Sequence, residues 1–317
     1  MTSALLGSAG VRRFCPSCST WSESFRGDRN GNPDRACPVC RSLERHRFLA
    51  LLVPTLVARL GAGVTLDVAP TAAMSDLLDR VAPSHLGMDV DPGADGRTVR
   101  CRASLTHVPL ASHSVQLVLC SHVLEHVPDD RAAIRELTRV LSPSGVAVLA
   151  VPYRRGQPTE EDPSAGPAER IRRFGQADHV RYYGTDFVDR LVANGLQYDE
   201  ITPNAVLPDA VVRTCGFMRG ETFWLARRAP AAGAAANGVP TLLTGLGEDL
   251  LGELIGLMAA ADAGRAAELE RSEARRQRAV EYARRTRANY DRVTGRVPVR
   301  VAMVGWAAIK RARHRPG

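Results

Sequence analysis

Across residues 64–228, short apolar runs alternate with stretches whose apolar positions recur every three or four residues. That alternation predicts strands of a mostly parallel sheet joined by crossover helices. Val64-Thr65-Leu66-Asp67-Val68 reads as a first buried strand, 71–82 as a helix, 85–89 as a second strand and 99–104 as a third. Val115-Gln116-Leu117-Val118-Leu119-Cys120 is nearly all apolar, as a strand covered on both faces must be. Pro128-Asp129-Asp130 then opens a helix running to 141, with its acids on the positive end of the helix dipole. Ser142-Pro143-Ser144-Gly145 turns the chain into a fifth strand at 146–151. An amphipathic helix at 185–194 precedes two last strands, 196–202 and 222–227, which fit an antiparallel edge pair.

The flanks read differently. Ala-Pro-Ala-Ala-Gly-Ala-Ala-Ala-Asn-Gly follows Arg228, a linker by composition, so 229–240 separates the α/β unit from a helical basic tail at 241–317. Within that tail, 242–258 is apolar and helical, and 262–292 is rich in Ala, Arg and Glu without sustained heptads. Residues 299–309, with Trp306, form a short apolar helix ending in Lys310-Arg311-Ala312-Arg313-His314-Arg315. Such a helix suits docking on a partner helix or on a membrane surface.

Charge sharpens the division. The chain has 317 residues and a formal net charge of +8. Basic residues exceed acidic ones at the two ends, whereas 61–150 is acidic and 151–240 is balanced. A nucleic-acid partner wants a basic working face, so it is possible but not favoured. No run of about eighteen apolar residues predicts a membrane span, and residues 1–10 lack the basic start of a secretory leader. With several thiols in one chain, a reducing compartment, the cytoplasm, is the expected location.

Two knuckles, Cys15-x2-Cys18 and Cys37-x2-Cys40, lie 18 residues apart, the spacing of a four-cysteine zinc ribbon over residues 1–48. Pro16 and Pro38 stiffen the two turns. Disulfides or unrelated buried thiols are the alternatives. Four thiolates leave no open coordination position, so the expected Zn2+ is structural. Cys101, Cys120 and Cys215 lack metal spacing and read as small buried hydrophobes.

The segments Leu119-Cys120-Ser121-His122-Val123-Leu124-Glu125-His126-Val127-Pro128 and Arg135-Glu136-Leu137-Thr138-Arg139-Val140-Leu141 carry a resemblance. They are similar to the fourth strand, fourth helix and fifth strand of type-11 methyltransferases, within the class I S-adenosylmethionine-dependent fold. Cys37-Pro38-Val39-Cys40-Arg41-Ser42-Leu43-Glu44-Arg45-His46-Arg47 and Phe174-Gly175-Gln176-Ala177-Asp178-His179-Val180-Arg181-Tyr182-Tyr183-Gly184 resemble a narrower group that also carries a zinc ribbon. The resemblance implies a Rossmann-like seven-stranded methyltransferase domain at 49–228 that binds S-adenosyl-L-methionine.

Ligands of open parallel sheets lie beyond the carboxyl ends of the strands. That edge carries Asp67, Ala69, Pro70, Asp89, Ser104 and Cys120 as cofactor-binding candidates. Asp89 is assigned the ribose hydroxyls, with Asp91 as competitor. The glycine-rich turn usual after the first strand is replaced by Asp67-Val68-Ala69-Pro70, and Ser104 stands where an acid normally meets the adenine.

Methyl transfer to a hydroxyl or amine needs alignment and removal of a proton, which suits histidine. His179 with supporting Asp178 is the first candidate base and His122 the second; His126 has a turn-fixing alternative. His179 and Asp178 fall in an irregular stretch, 153–183, that reads as a lid. The expected activity is methyl transfer to a small-molecule or saccharide acceptor. Its rivals are an RNA methyltransferase and a degenerate, non-catalytic binding module on the same fold.

Overall fold

A computed structural model describes residues 12–27, 34–82, 84–91, 99, 101–230 and 243–294. At the amino end, the hairpin of β1 (Arg13–Cys15) and β2 (Thr20–Ser22) leads to α1 (Glu44–Leu60). Next come β3 (Val64–Val68), α2 (Ala72–Val81), β4 (Ser84–Asp89), β5 (Cys101–Arg102) and β6 (Val115–Ser121). A single tight turn at Leu124–His126 precedes α3 (Asp130–Val140) and β7 (Leu141–Ala150). β8 (Glu160–Glu161), α4 (Pro167–Phe174), β9 (Arg181–Tyr182) and α5 (Phe187–Ala193) follow. The chain continues through β10 (Leu196–Ile201), α6 (Pro203–Val206), α7 (Asp209–Cys215), β11 (Phe223–Arg228) and α8 (Leu246–Thr294).

Seven strands form one sheet in the order β10-β11-β7-β6-β3-β4-β5, with β11 antiparallel to both its neighbours. The strands from β3 to β7 are parallel, and the chain changes direction across the sheet between β3 and β6. The crevice that binds ligands in such sheets opens at the carboxyl ends of those two strands.

Alternation along β6 explains the packing. Leu117 and Leu119 enter one apolar cluster, with Phe48, Leu52, Leu225 and Leu250, while Val118 and Cys120 enter the other, with Ile134, Leu137, Phe187 and Trp224. α2 starts at Thr71, whose hydroxyl accepts from Met74 N at 3.3 Å. α3 starts at Asp129, whose carboxylate accepts from Ala132 N at 2.8 Å.

Three expectations change. The ribbon boundary expected at residue 48 falls inside α1, which runs unbroken from the ribbon into the core. Arg47 on that helix is fully buried and donates to Ser42 O at 2.7 Å, Cys215 O at 2.8 Å and Gly216 O at 2.6 Å. Its guanidinium saturates carbonyls of the ribbon and of α7 at once. The start of the expected tail is core rather than appendage: Leu246, Leu250, Leu254 and Met258 recur every four residues on α8 and are buried. Stretch 153–183 is ordered by α4 and the β8–β9 ribbon, instead of being irregular.

The second unit begins at Asp262. It is a helix whose described side chains, to Arg284, are all exposed. The residues of the expected linker from 231 on, and the whole 299–309 helix with its basic end, lie outside the described residues. No described helix is long and apolar enough to cross a membrane.

Candidate functional site

Two groups of metal-ligand side chains and one cofactor edge concentrate the chemistry. In the ribbon, Cys15 and Cys40 Sγ lie 3.6 Å apart and Cys18 and Cys37 Sγ 3.8 Å apart. A tetrahedron with Zn–S bonds of about 2.3 Å has edges of about 3.8 Å. The four sulfurs are all within 4.8 Å of one another, too far for disulfides and right for one ion. Ser42 Oγ sits 3.2 Å from Cys15 Sγ, Thr20 Oγ1 2.9 Å from Cys18 Sγ, and Val39 N donates to Cys37 Sγ at 3.4 Å. Such donors orient and stabilise thiolates around a metal.

At the sheet edge, Asp67, next to last in β3, has its side chain buried and Oδ2 unpartnered among the described residues. Burial pushes its carboxyl up to about 8. Ala69 takes φ 53°, the left-handed conformation that glycine supplies in most such turns, and its N–H donates to Met88 O at 2.8 Å. The glycine is missing but the backbone it would serve is present. Pro70 is buried beside it. Asp89, buried at the end of β4, accepts from Asp91 N at 3.0 Å. Ser104 Oγ lies 2.8 Å from Thr106 Oγ1 and accepts from Thr106 N at 3.2 Å, a local turn. Cys120 is fully buried in the apolar cluster beneath α3, and burial raises its thiol far above the ordinary range. Its side chain therefore packs into the core, leaving only its backbone for the crevice.

His122 follows β6 at φ 56°, strained for a bulky side chain, and its N–H donates to Ala150 O at 2.8 Å. Its Nδ1 lies 3.3 Å from Glu125 Oε1 and its Nε2 3.7 Å from Glu221 Oε1. Burial works against the charged ring, but these two carboxylates outweigh it and the His122 pKa is raised.

The expected Asp178–His179 pair is not formed. Adjacent side chains project differently, and Asp178 reaches His126 Nδ1 at 3.1 Å. His179 is buried, with Nδ1 at 3.0 Å from Phe174 O, and burial lowers its pKa. Arg181, two residues on, is committed to the fold. It is fully buried, donates to Leu124 O and Pro128 O at 2.8 Å each, and pairs with Glu161 at 3.0 Å. Asp130 completes this knot, accepting from Arg190 and from Tyr183 Oη at 2.8 Å each. The knot fixes the turn that carries Glu125 and His126.

Sequence reasoning left Glu125, Glu221, Arg45 and His46 without roles. The charges of Glu221 and Glu125 act on Arg45, though burial lowers its pKa. Burial, then Arg45 and His122, bring His46 down to about 3. The start of α1 thus borders the same edge, and the Cys37–Arg47 motif was the available signal.

Residues 66–149 match a family model described as a methyltransferase domain. An uncharacterized methyltransferase from Mycobacterium sp. (strain JLS) is 41% identical over 70 residues, 22% of this chain and 28% of that protein. One from Mycolicibacterium paratuberculosis is 33% identical over 138 residues, 38% of this chain and 54% of its own length. The chain thus spans little more than a quarter to about half of these relatives. Among solved structures, an S-adenosylmethionine-dependent methyltransferase from Mesorhizobium loti has a TM-score of 0.37 at 19% identity, covering 56% of this chain and 97% of its own. The segment that builds β3 to β7 is therefore similar to the methyltransferase domain family.

Proposed function

We propose that this protein transfers a methyl group from S-adenosyl-L-methionine to a hydroxyl or amine of a small-molecule or saccharide acceptor. The observation that carries the reading is His122, held between Glu125 and Glu221 at the carboxyl end of β6, beside the strand-order switch. When bound, the cofactor supplies a methyl group on a sulfonium, an activated leaving group that needs no further electrophile. The residues present fit it. The buried, unpartnered Oδ2 of Asp67 and the left-handed turn at Ala69 leave an acceptor and exposed backbone where a cofactor sits in such folds. Asp89 at the end of the neighbouring strand is the acid we assign to the ribose hydroxyls.

His122, rather than His179, is the group we assign to take the acceptor's proton. Its two carboxylate neighbours stabilise the imidazolium formed when the proton arrives. At His179 burial outweighs the nearby Glu125 and Asp178 charges and lowers the pKa, which disfavours the imidazolium. Four cysteines at tetrahedral separations support structural Zn2+ as the second bound group. The free thiols support a reducing location, the cytoplasm. RNA as acceptor is not favoured, because residues 61–240 carry no excess of basic charge.

Calorimetric titration of S-adenosylhomocysteine into the zinc-loaded protein tests the reading. Binding is expected at one site per chain, weakened roughly tenfold or more by Asp89→Ala, the loss of a charge-assisted hydrogen bond. Absence of heat would leave a non-catalytic module on the same fold.

A further inference from the structure

Glu125 is fully buried, yet neither carboxylate oxygen accepts a well-formed hydrogen bond. Buried carboxylates are ordinarily paired, hydrogen-bonded or bound to a cation. His179 Nε2 is likewise buried and unpartnered. Its Nδ1 faces the Phe174 carbonyl at 3.0 Å, which only accepts, so Nδ1 carries the proton and Nε2 presents a lone pair. His126 repeats the arrangement: Asp178 lies 3.1 Å from its Nδ1, which leaves its Nε2 to ligate. The two rings meet edge to face with centroids 4.6 Å apart. Ligand atoms of Glu125, His126 and His179 all lie within 4.8 Å of one another.

We propose that Glu125, His126 and His179 bind one divalent first-row transition cation. Two imidazoles and one carboxylate suit zinc, iron, cobalt or manganese better than magnesium or calcium, which take mostly oxygen. Three protein ligands leave coordination positions open, unlike the closed ribbon site. The supporting shell is already built. A carbonyl and a carboxylate hold the two imidazoles in the ligating tautomer, and Arg181 holds the turn through the Leu124 and Pro128 carbonyls. His126 is partly exposed, which gives an ion a way in.

His122 lies against the same carboxylate, at 3.3 Å from Glu125 Oε1. If the methyl-transfer reading holds, on which this step rests, an ion held by Glu125, His126 and His179 would offer an open position to the acceptor's hydroxyl oxygen. Coordination lowers the hydroxyl pKa, so oxygen is favoured over amine as acceptor. The O–H proton would pass to His122, whose imidazolium Glu221 still faces at 3.7 Å, the oxygen would form the new O–CH3 bond, and the S–CH3 electron pair would stay on sulfur as S-adenosylhomocysteine leaves.

Full-length protein, with its ribbon kept zinc-filled and checked by elemental analysis, would be titrated with Co2+ while visible absorption is followed. One equivalent with weak bands of nitrogen and oxygen ligation is expected, distinct from the intense thiolate bands of cobalt in the ribbon. His126→Ala and His179→Ala should abolish that equivalent. Asp178→Asn should weaken it by about tenfold, as loss of an outer-shell partner does. His126 is the decisive position, because its partial exposure lets the variant fold even where replacing a buried ligand does not. Absence of a further equivalent, or cobalt binding unchanged in His126→Ala, would overturn the site. S-adenosylhomocysteine titration of the same sample separates the two ideas. Cobalt binding without nucleoside binding would sink only methyl transfer, and the reverse would sink only the metal site.

Discussion

The ribbon cysteines and the Glu125–His126–His179 group are both sets of metal-ligand side chains, yet they are built in opposite ways. The ribbon ligands come from two local knuckles, share one chemistry and close a tetrahedron. The second set joins the turn after β6 to a residue 53 positions later in the chain, mixes carboxylate with imidazole, and offers three ligand residues instead of four. A closed sulfur site holds a fold together, whereas an open mixed site does chemistry. If both sets bind metal as proposed, the ribbon governs stability and the second set governs what happens at the sheet edge.

Removing a thiolate is the harshest test of that division. Cys37→Ser should release zinc and lower the melting temperature by roughly 10 °C or more, since structural metal binding is folding free energy. His126→Ala should shift it by only about 3 °C or less, as a partly exposed side chain does. Equal shifts for the two would erase the contrast. Next in size is Arg181→Ala, which removes a buried partner of Asp130 and Glu161 and frees the turn under the second set. Denaturant melts should show a loss of about 3 kcal/mol, as for other broken buried pairs. A loss near zero would mean that Arg190, which also meets both acids, suffices alone.

A pH-dependent effect concerns Asp67, outside both sets. Folding raises its carboxyl to about 8, from about 3.9 in an unfolded chain. Between those values the folded protein holds a proton that the unfolded chain has released. Stability of the ligand-free protein should therefore fall as pH rises from about 4 to about 8. Asp67→Asn, which carries no titrating proton, should flatten that slope; an unchanged slope would place its origin elsewhere.

Local patterns were legible. The cysteine spacing pointed to the ribbon, and the apolar run of Val115–Cys120 to a central strand. Juxtapositions were not. Asp178 and His179 are neighbours in sequence, but each found its partner across space, in His126 and in the Phe174 carbonyl. The turn after β3 lacks its glycine, but composition does not reveal φ, and Ala69 adopts the required conformation. The ribbon boundary was misplaced because a helix that starts by shielding the cysteines continues as core, and Arg47 joins both.

By itself, the chain's alternation of buried and half-buried periods determined the order of strands and helices, because each element must cover one apolar face. Its paired knuckles determined the four sulfurs, because both ligands of each pair lie within one turn. Only the tertiary structure decided which acid serves which histidine and that the sealed Glu125 carboxylate meets His122 at 3.3 Å. Those outcomes depend on packing between elements far apart in the chain, where charge and hydrogen-bond demands are met by whatever the fold brings near.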